Sequence, residues 1–100
     1  MSIEVFRVEA THLGSGEVLP PTLILTERAL IREDPGGLSK DTVEVPLDQI
    51  ASINLTENPL YATLSVVTEG GDVIETKGLP KRMARDLKDL IGEARGIYGG

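Results

Sequence analysis

The sequence has no cysteine and no tryptophan, a single histidine, and only three aromatic residues in 100. Without cysteine there is no disulfide, no thiolate nucleophile and no zinc–thiolate site. The lone His12 is the one candidate base for a Ser–His–acid triad, and Ser15 follows it too closely on a Gly-rich stretch to be placed as its nucleophile. We interpret His12 as a solvated loop residue, and we expect a protein that is not an enzyme and binds no cofactor.

Basic residues are also scarce, since 10 Lys and Arg stand against 16 Asp and Glu and give a net charge of -6. This charge repels phosphate backbones and argues against nucleic acid as a partner. The carboxylates lack the DxDxDG spacing of a calcium loop, so we predict no metal site. Gly14-Ser15-Gly16 is too short for a phosphate-binding loop and lacks the Lys-Ser/Thr that follows one.

The length and composition fit one soluble domain. A chain of 100 residues with 40% hydrophobic and 26% charged residues can bury a core of its own. The start of the chain carries no basic segment followed by an apolar one, and no uncharged run is long enough to cross a bilayer. We therefore expect a cytoplasmic location, in which the Asn54-Leu55-Thr56 glycosylation sequon is a chance match.

Up to about Thr76 the apolar residues come in short groups, often at a spacing of two, which is typical of strands. Turn signals such as Gly70-Gly71 separate these groups, and the short connections favour antiparallel pairing. Leu47-Asp48-Gln49 is a candidate for one helical turn. The predicted strands, between about residues 3 and 77, are Ile3–Ala10, Thr22–Thr26, Ala29–Glu33, Thr42–Val45, Ala51–Thr56, Ala62–Thr68 and Val73–Lys77.

After Gly78 the apolar spacing changes to three and four, as in an amphipathic helix. A helix is predicted over about 80–95, because Pro80 suits a first helical turn and Gly96 is placed to end the helix. Residues 96–100 are then expected to be a flexible tail. Seven antiparallel strands followed by one helix predict a mostly β domain, a bent barrel capped by its C-terminal helix.

Three segments resemble bacterial pleckstrin-homology-like (PH-like) domains. They are Thr22–Ile31 (TLILTERALI), Val45–Ile53 (VPLDQIASI) and Gly78–Ala84 (GLPKRMA), which are similar to the family's hairpin, its "iPLdqIasi" segment and the turn before its closing helix. The resemblance covers most of the chain from about Thr22 to Arg95. It implies two orthogonal antiparallel sheets with a helix over one open end. The basic residues that bind phosphoinositides in the first hairpin loop of eukaryotic PH domains are missing from residues 11–21.

Charge is distributed unevenly along the chain. Up to Thr76 there are four basic and thirteen acidic residues, and after it there are six basic and three acidic. One interpretation is a solvated helix face with ion pairs Arg82–Asp86 and Arg85–Asp89. The other is a docking surface for an acidic partner or an anionic lipid surface, at a helix start whose dipole favours anions. The basic cluster comprises Lys77, Lys81, Arg82 and Arg85.

Asn58-Pro59-Leu60-Tyr61 places an apolar–aromatic pair, Leu60 and Tyr61, in a predicted loop. Either Tyr61 begins the next strand and packs at the barrel rim, or the pair contacts a protein partner. Both residues are therefore candidate binding residues.

These observations favour a non-catalytic module that binds a protein partner or associates with itself, using edge strands to take up a further strand. The alternative is a peripheral membrane adaptor that binds anionic lipid through the basic helix. A third hypothesis, a small enzyme with dispersed carboxylates, requires a concave pocket with converging polar groups.

Overall fold

The structure is a computed structural model that describes residues 3–11, 20–36 and 39–99. The seven strands are Glu4–Glu9 (β1), Thr22–Thr26 (β2), Ala29–Gly36 (β3), Ser39–Pro46 (β4), Ile50–Glu57 (β5), Ala62–Thr68 (β6) and Val73–Leu79 (β7). A 3-10 turn at Leu47–Gln49 separates β4 from β5, and one helix, Lys81–Gly99 (α1), follows β7. The predicted seven strands, single turn and C-terminal helix are all present.

The strands form two antiparallel sheets in which consecutive strands pair, except for β4 and β5. The first sheet has the order β1-β2-β3-β4 and the second the order β5-β6-β7. The closed seven-stranded barrel is not found, because no strand ladder in the described residues joins one sheet to the other. Pro46 has no N–H to donate to a further ladder, and the 3-10 turn after it directs the chain into the second sheet.

The hairpin between β3 and β4 is longer than predicted. The Asp34-Pro35-Gly36 segment, which follows the predicted strand Ala29–Glu33, lies inside β3, and Pro35 pairs with Lys40 of β4. Strand β2 pairs with β3 only as far as Glu33, so Pro35 lies where β3 has a partner on one side. A residue without an N–H is tolerated at such a position.

The helix also ends later than predicted. It continues through Gly96 to Gly99, whereas Gly100, the last residue of the predicted tail, is outside the described residues. A glycine within a helix costs roughly 1 kcal/mol relative to alanine, which weakens the helix without ending it.

One apolar core lies between the two sheets and the helix. Ala84, Leu87 and Ile91 are fully buried, at the spacing of three and four that predicted the helical stripe. They pack with Leu47 of the 3-10 turn and with strand residues of both sheets, namely Val8, Leu23, Leu25, Leu30, Val45, Ile50, Ala62, Leu64, Val66 and Leu79. The helix thus stabilises the packing of both sheets.

Gly92 offers a first prediction, on stability. A Cβ built on Gly92 meets no neighbouring atom within 4 Å, and the residue lies inside α1 on an exposed face. Gly92→Ala is expected to raise the free energy of unfolding by about 0.5–1 kcal/mol, because alanine restricts the unfolded chain and has the higher helix propensity. Denaturant unfolding monitored by circular dichroism measures the change.

Gly71 is the matched control for Gly92. It also has open space around a built Cβ, but its φ is +91°, in the turn between β6 and β7. Gly71→Ala is therefore expected to destabilise the protein, since an L side chain is strained at this φ. Equal effects of the two substitutions would contradict the argument from backbone conformation.

Candidate functional site

The edges of the two sheets are the first places to look for a binding site. A strand at a sheet edge leaves backbone N–H and C=O groups free to pair with another chain, and natural proteins usually blunt such edges with charge, proline or a bulge. The four outer strands are β1 and β4 in the first sheet and β5 and β7 in the second.

Strand β1 is blunted by a bulge and by charge. The register shifts between Glu4 and Phe6, and one extra residue places Glu4 on the same face as Arg7. The Arg7 guanidinium donates to the Glu4 carboxylate, with Nη2 2.9 Å from Oε1. An exposed ion pair on a bulged edge is a poor template for a further strand.

The same pair yields a prediction on titration. The hydrogen bond from Arg7 holds the pKa of the Glu4 carboxyl below its ordinary value of 4.5. Because the folded pKa is lowered, the pair stabilises the fold above the ordinary pKa, and this contribution is lost as the pH falls through the lowered value. Arg7→Gln is expected to return the pKa of Glu4 toward 4.5, measured by carboxyl-detected NMR titration.

A distant substitution, Lys88→Gln on α1, serves as the control and should leave the Glu4 titration unchanged. A Glu4 pKa at or above 4.5 in the unsubstituted protein would show that the ion pair does not form in solution.

Strands β7 and β4 are blunted in other ways. The Arg32 guanidinium crosses from the first sheet and donates to the carbonyl oxygen of Glu75 in β7. The Thr11 N–H lies 2.9 Å from the carbonyl oxygen of Gly78, to which it donates. These donors occupy backbone acceptors of β7. Strand β4 contains three charged residues and ends in proline, namely Lys40, Asp41, Glu44 and Pro46.

Strand β5 has the fewest of these features, namely a bulge at Ile50/Ser52 near its start and one charged residue, Glu57, at its end. From Ile50 to Thr56 it contains no charged residue and no proline. Ile53 and Leu55 are half-buried and pack against the core, whereas Asn54 is exposed. Among the strands of the described part of the chain, β5 pairs only with β6, so its other edge has no strand partner. The helix α1 also packs against β5. It is the outer strand best suited to accept another strand.

The hairpin after β5 is a rigid turn with an exposed leucine at its tip. The Asn58 side-chain oxygen accepts hydrogen bonds from the N–H groups of Leu60 and Tyr61, at 3.1 and 2.7 Å. The Asn58 N–H donates in turn to the Tyr61 carbonyl oxygen. Leu60 is 74% exposed and Tyr61 half-buried. The turn therefore separates the predicted pair, with Leu60 presented to solvent and Tyr61 half-buried immediately before β6.

Two members of the basic cluster make ion pairs within the fold. Arg85 Nη2 lies 2.6 Å from Glu57 Oε1, at the end of β5, and Lys77 Nζ lies 3.7 Å from Glu75 Oε1. The predicted Arg85–Asp89 pair is therefore replaced by a pair between helix and sheet. Arg82 is exposed, and no ion pair joins it to Asp86 among the residues that the structure describes.

The Arg85–Glu57 contact also shows how the Leu60 hairpin and the basic cluster lie relative to each other. Glu57 is the last residue of β5 and immediately precedes the Leu60 hairpin, so this hairpin and the first turns of α1 are neighbours. Lys81, half-buried, and Arg82 begin the helix, and its first turn contains no acidic residue. The structure thus places β5, the Leu60 hairpin and the basic start of α1 side by side.

A surface cleft of about 390 Å³ lies at the opposite end of β5. It is lined by Arg28, Pro46, Leu47 and Asp48, around the 3-10 turn. The Leu47 N–H donates to the Arg28 carbonyl oxygen at 2.9 Å, which ties the turn to the β2–β3 connection. No pattern in the sequence marks this cleft, because its lining residues come from separate turns.

Some sequence candidates cannot be placed relative to this region. His12 and Gly14-Ser15-Gly16 lie outside the described residues. In the described residues no three His, Cys, Asp or Glu side chains are grouped so as to hold a metal ion. None of the described helical segments combines the length and the apolar character that a membrane span requires.

Comparison with known proteins gives a likeness of fold alone. No protein-family model matches the chain, and no curated protein matches it. Among solved structures, the C-terminal domain of an unknown protein from Leishmania infantum is similar, with a TM-score of 0.62 and 13% identity. The likeness covers 93% of this chain and 84% of that one. At this identity the likeness concerns the fold, and the function of the chain has to be argued from its own residues.

Proposed function

We propose that this chain is a non-catalytic, PH-like binding module that takes up an extended protein segment as an additional strand on β5. The PH-like assignment draws on the resemblance of three sequence segments and on the arrangement of four and three antiparallel strands followed by a helix. In strand addition, backbone hydrogen bonds provide affinity, and the alternating side chains provide specificity.

One observation carries this proposal: between its bulge at Ile50/Ser52 and its last residue, Glu57, the outer strand β5 has no charge, no proline and no capping by the opposite sheet. Its half-buried Ile53 and Leu55 lie on the core face, where side chains of an added strand would extend the apolar packing. Natural sheets rarely leave such an edge without a partner, since it invites aggregation.

The test is selection of peptides from a random display library against the immobilised chain, followed by NMR of the selected complexes. We expect the largest amide shifts, and new protection from hydrogen exchange, in β5. The blunted strands β1 and β4 serve as internal controls and should be unaffected. Selected peptides that shift another surface, or a failure to select any peptide under conditions in which the chain is monomeric, would contradict the proposal.

The basic start of α1 supports an alternative function as a peripheral adaptor for anionic membranes. Lys81 and Arg82 lie at the positive end of the helix dipole with no acidic residue in that turn, an arrangement that disfavours the isolated helix and favours a bound anion. Sedimentation with phosphatidylserine vesicles at low salt tests this function. Binding lost in the Lys81/Arg82/Arg85→Ala variant and kept in Lys88→Ala would favour it, and no binding would remove it.

A further inference from the structure

We infer that the strand accepted by β5 is β5 of a second copy of this chain, paired antiparallel about a two-fold axis at Asn54. This inference rests on the proposed function and names its partner. The product is a continuous sheet of six strands built from the β5-β6-β7 sheets of two copies. A two-fold interface is closed, so it yields a dimer and leaves no free β5 edge to extend into a fibre.

The sequence of β5 is complementary to itself in this register. With Asn54 opposite Asn54, Ile53 lies opposite Leu55 of the second copy, and both belong to the core face. On the other face, Ser52 lies opposite Thr56, a pair whose hydroxyl groups can hydrogen bond. The bulge at Ile50/Ser52 leaves the segment from Ser52 to Thr56 regular, so five residues pair without interruption.

Charge also favours β5 as the place where two copies meet. Each copy carries a net charge of -6, so two copies repel each other at most surfaces. The paired segment from Ser52 to Thr56 has no charge to place opposite itself. The nearest acidic residue is Glu57, which pairs with Arg85 of the same copy. In the proposed register Glu57 lies opposite Ala51 of the second copy. Like-charge contacts across the ladder are therefore avoided.

The two ends of β5 differ in shape, with an exposed side chain near one end and a cleft near the other. The hairpin tip with exposed Leu60 follows one end of the strand, and the cleft lined by Pro46, Leu47 and Asp48 precedes the other. An antiparallel two-fold brings the tip of each copy to the 3-10 turn of the other. Because the Asn58 hydrogen bonds fix the tip, Leu60 is presented to this region with little further loss of conformational freedom.

The first experiment measures the mass of the full chain in solution over a range of concentrations by light scattering and sedimentation. We expect the mass to rise from 10.7 kDa toward twice that value as the concentration increases. Asn54→Lys, which places two lysines opposite each other at the axis, should weaken dimerisation at least tenfold. The matched control is Ser65→Lys, on the adjacent strand β6 opposite Asn54, and it should dimerise normally.

A mixing experiment tests the register itself. Asn54→Asp alone should also stay monomeric, whereas an equimolar mixture of the Asn54→Lys and Asn54→Asp variants should regain the dimer mass. This rescue is expected only if residue 54 of one copy faces residue 54 of the other. Circular dichroism of each variant establishes that it is folded, and Leu60→Ser should weaken dimerisation without changing the spectrum.

The possible outcomes separate this inference from the proposed function. If the chain remains at the monomer mass at all concentrations, or if Asn54→Lys does not affect the dimer, then the strand accepted by β5 is not β5 of a second copy. If display peptides nevertheless shift β5, the strand-addition function stands with a partner from another protein. If the chain is monomeric and no peptide shifts β5, both proposals fail.

Discussion

Leu87→Ala is expected to lower the free energy of unfolding by about 3 kcal/mol, within the range of about 2–5 kcal/mol typical of buried leucines. Leu87 is fully buried at the centre of the helical stripe, between Ala84 and Ile91. Its truncation removes apolar contacts and leaves a cavity where α1 packs against both sheets. Urea denaturation followed by circular dichroism measures the loss, with the midpoint shifting and the slope unchanged.

Met83 provides the control on the same helix. Its side chain is 36% exposed, so Met83→Ala removes less buried surface and is expected to lower the free energy of unfolding by less than about 1 kcal/mol. If the two substitutions had equal effects, α1 would not be packed on the core as the structure has it.

The spacing of apolar residues was sufficient to predict the core and most of the elements. The helical stripe around Leu87 follows from spacings of three and four, and the period-two run of Ile53 and Leu55 identifies a strand with one face on the core. These patterns are local, because each reflects which side of a single element is shielded from water. The number and order of elements could therefore be predicted from the sequence alone.

The ends of elements and the closure of the sheets depend on partners that a local pattern does not contain. Pro35 is compatible with a strand because β2 stops pairing at Glu33, and Gly96 is compatible with a helix because one glycine costs too little to end it. Whether two sheets join into a barrel depends on the pairing of distant strands. These are the points at which the sequence predictions and the structure differ.

The candidate site likewise combines features that local patterns predict with contacts that they do not. Leu60 and Arg85 were identified from composition and charge, and the structure connects them through the Glu57 ion pair. The neutrality of β5 is visible in the sequence, but its importance appears only once β5 is known to be an outer strand. Arg32 and Thr11 act through contacts with β7 that are distant in sequence, 43 and 67 residues apart, so no local motif identifies them.

The lack of charge in β5 is informative because the other three outer strands are blunted. In a chain with 26% charged residues, a half-exposed strand with no charge over seven positions requires an explanation. Solvation alone does not explain it, because β1 and β4 are solvated edges and carry charge. The proposed pairing with a further strand would explain it, since a charged side chain on the edge would oppose that pairing.

Thr26→Val is expected to lower the free energy of unfolding by about 2 kcal/mol. The buried Thr26 hydroxyl donates to the Ala29 carbonyl oxygen at 3.2 Å and accepts from the N–H groups of Arg28 and Ala29, at 3.2 and 3.0 Å. Valine keeps the shape but removes all three hydrogen bonds, which leaves buried backbone groups of the β2–β3 connection without this partner. Thermal and urea unfolding measure the change.

Two controls distinguish the hydroxyl from the side-chain shape. Thr26→Ser keeps the hydroxyl and should retain most of the stability, whereas Thr22→Val, at a half-buried position of the same strand, should change it little. The Arg28 carbonyl oxygen accepts from the Leu47 N–H, so this connection also positions the 3-10 turn under α1. If Thr26→Val were as stable as Thr26→Ser, the hydroxyl would not organise the connection.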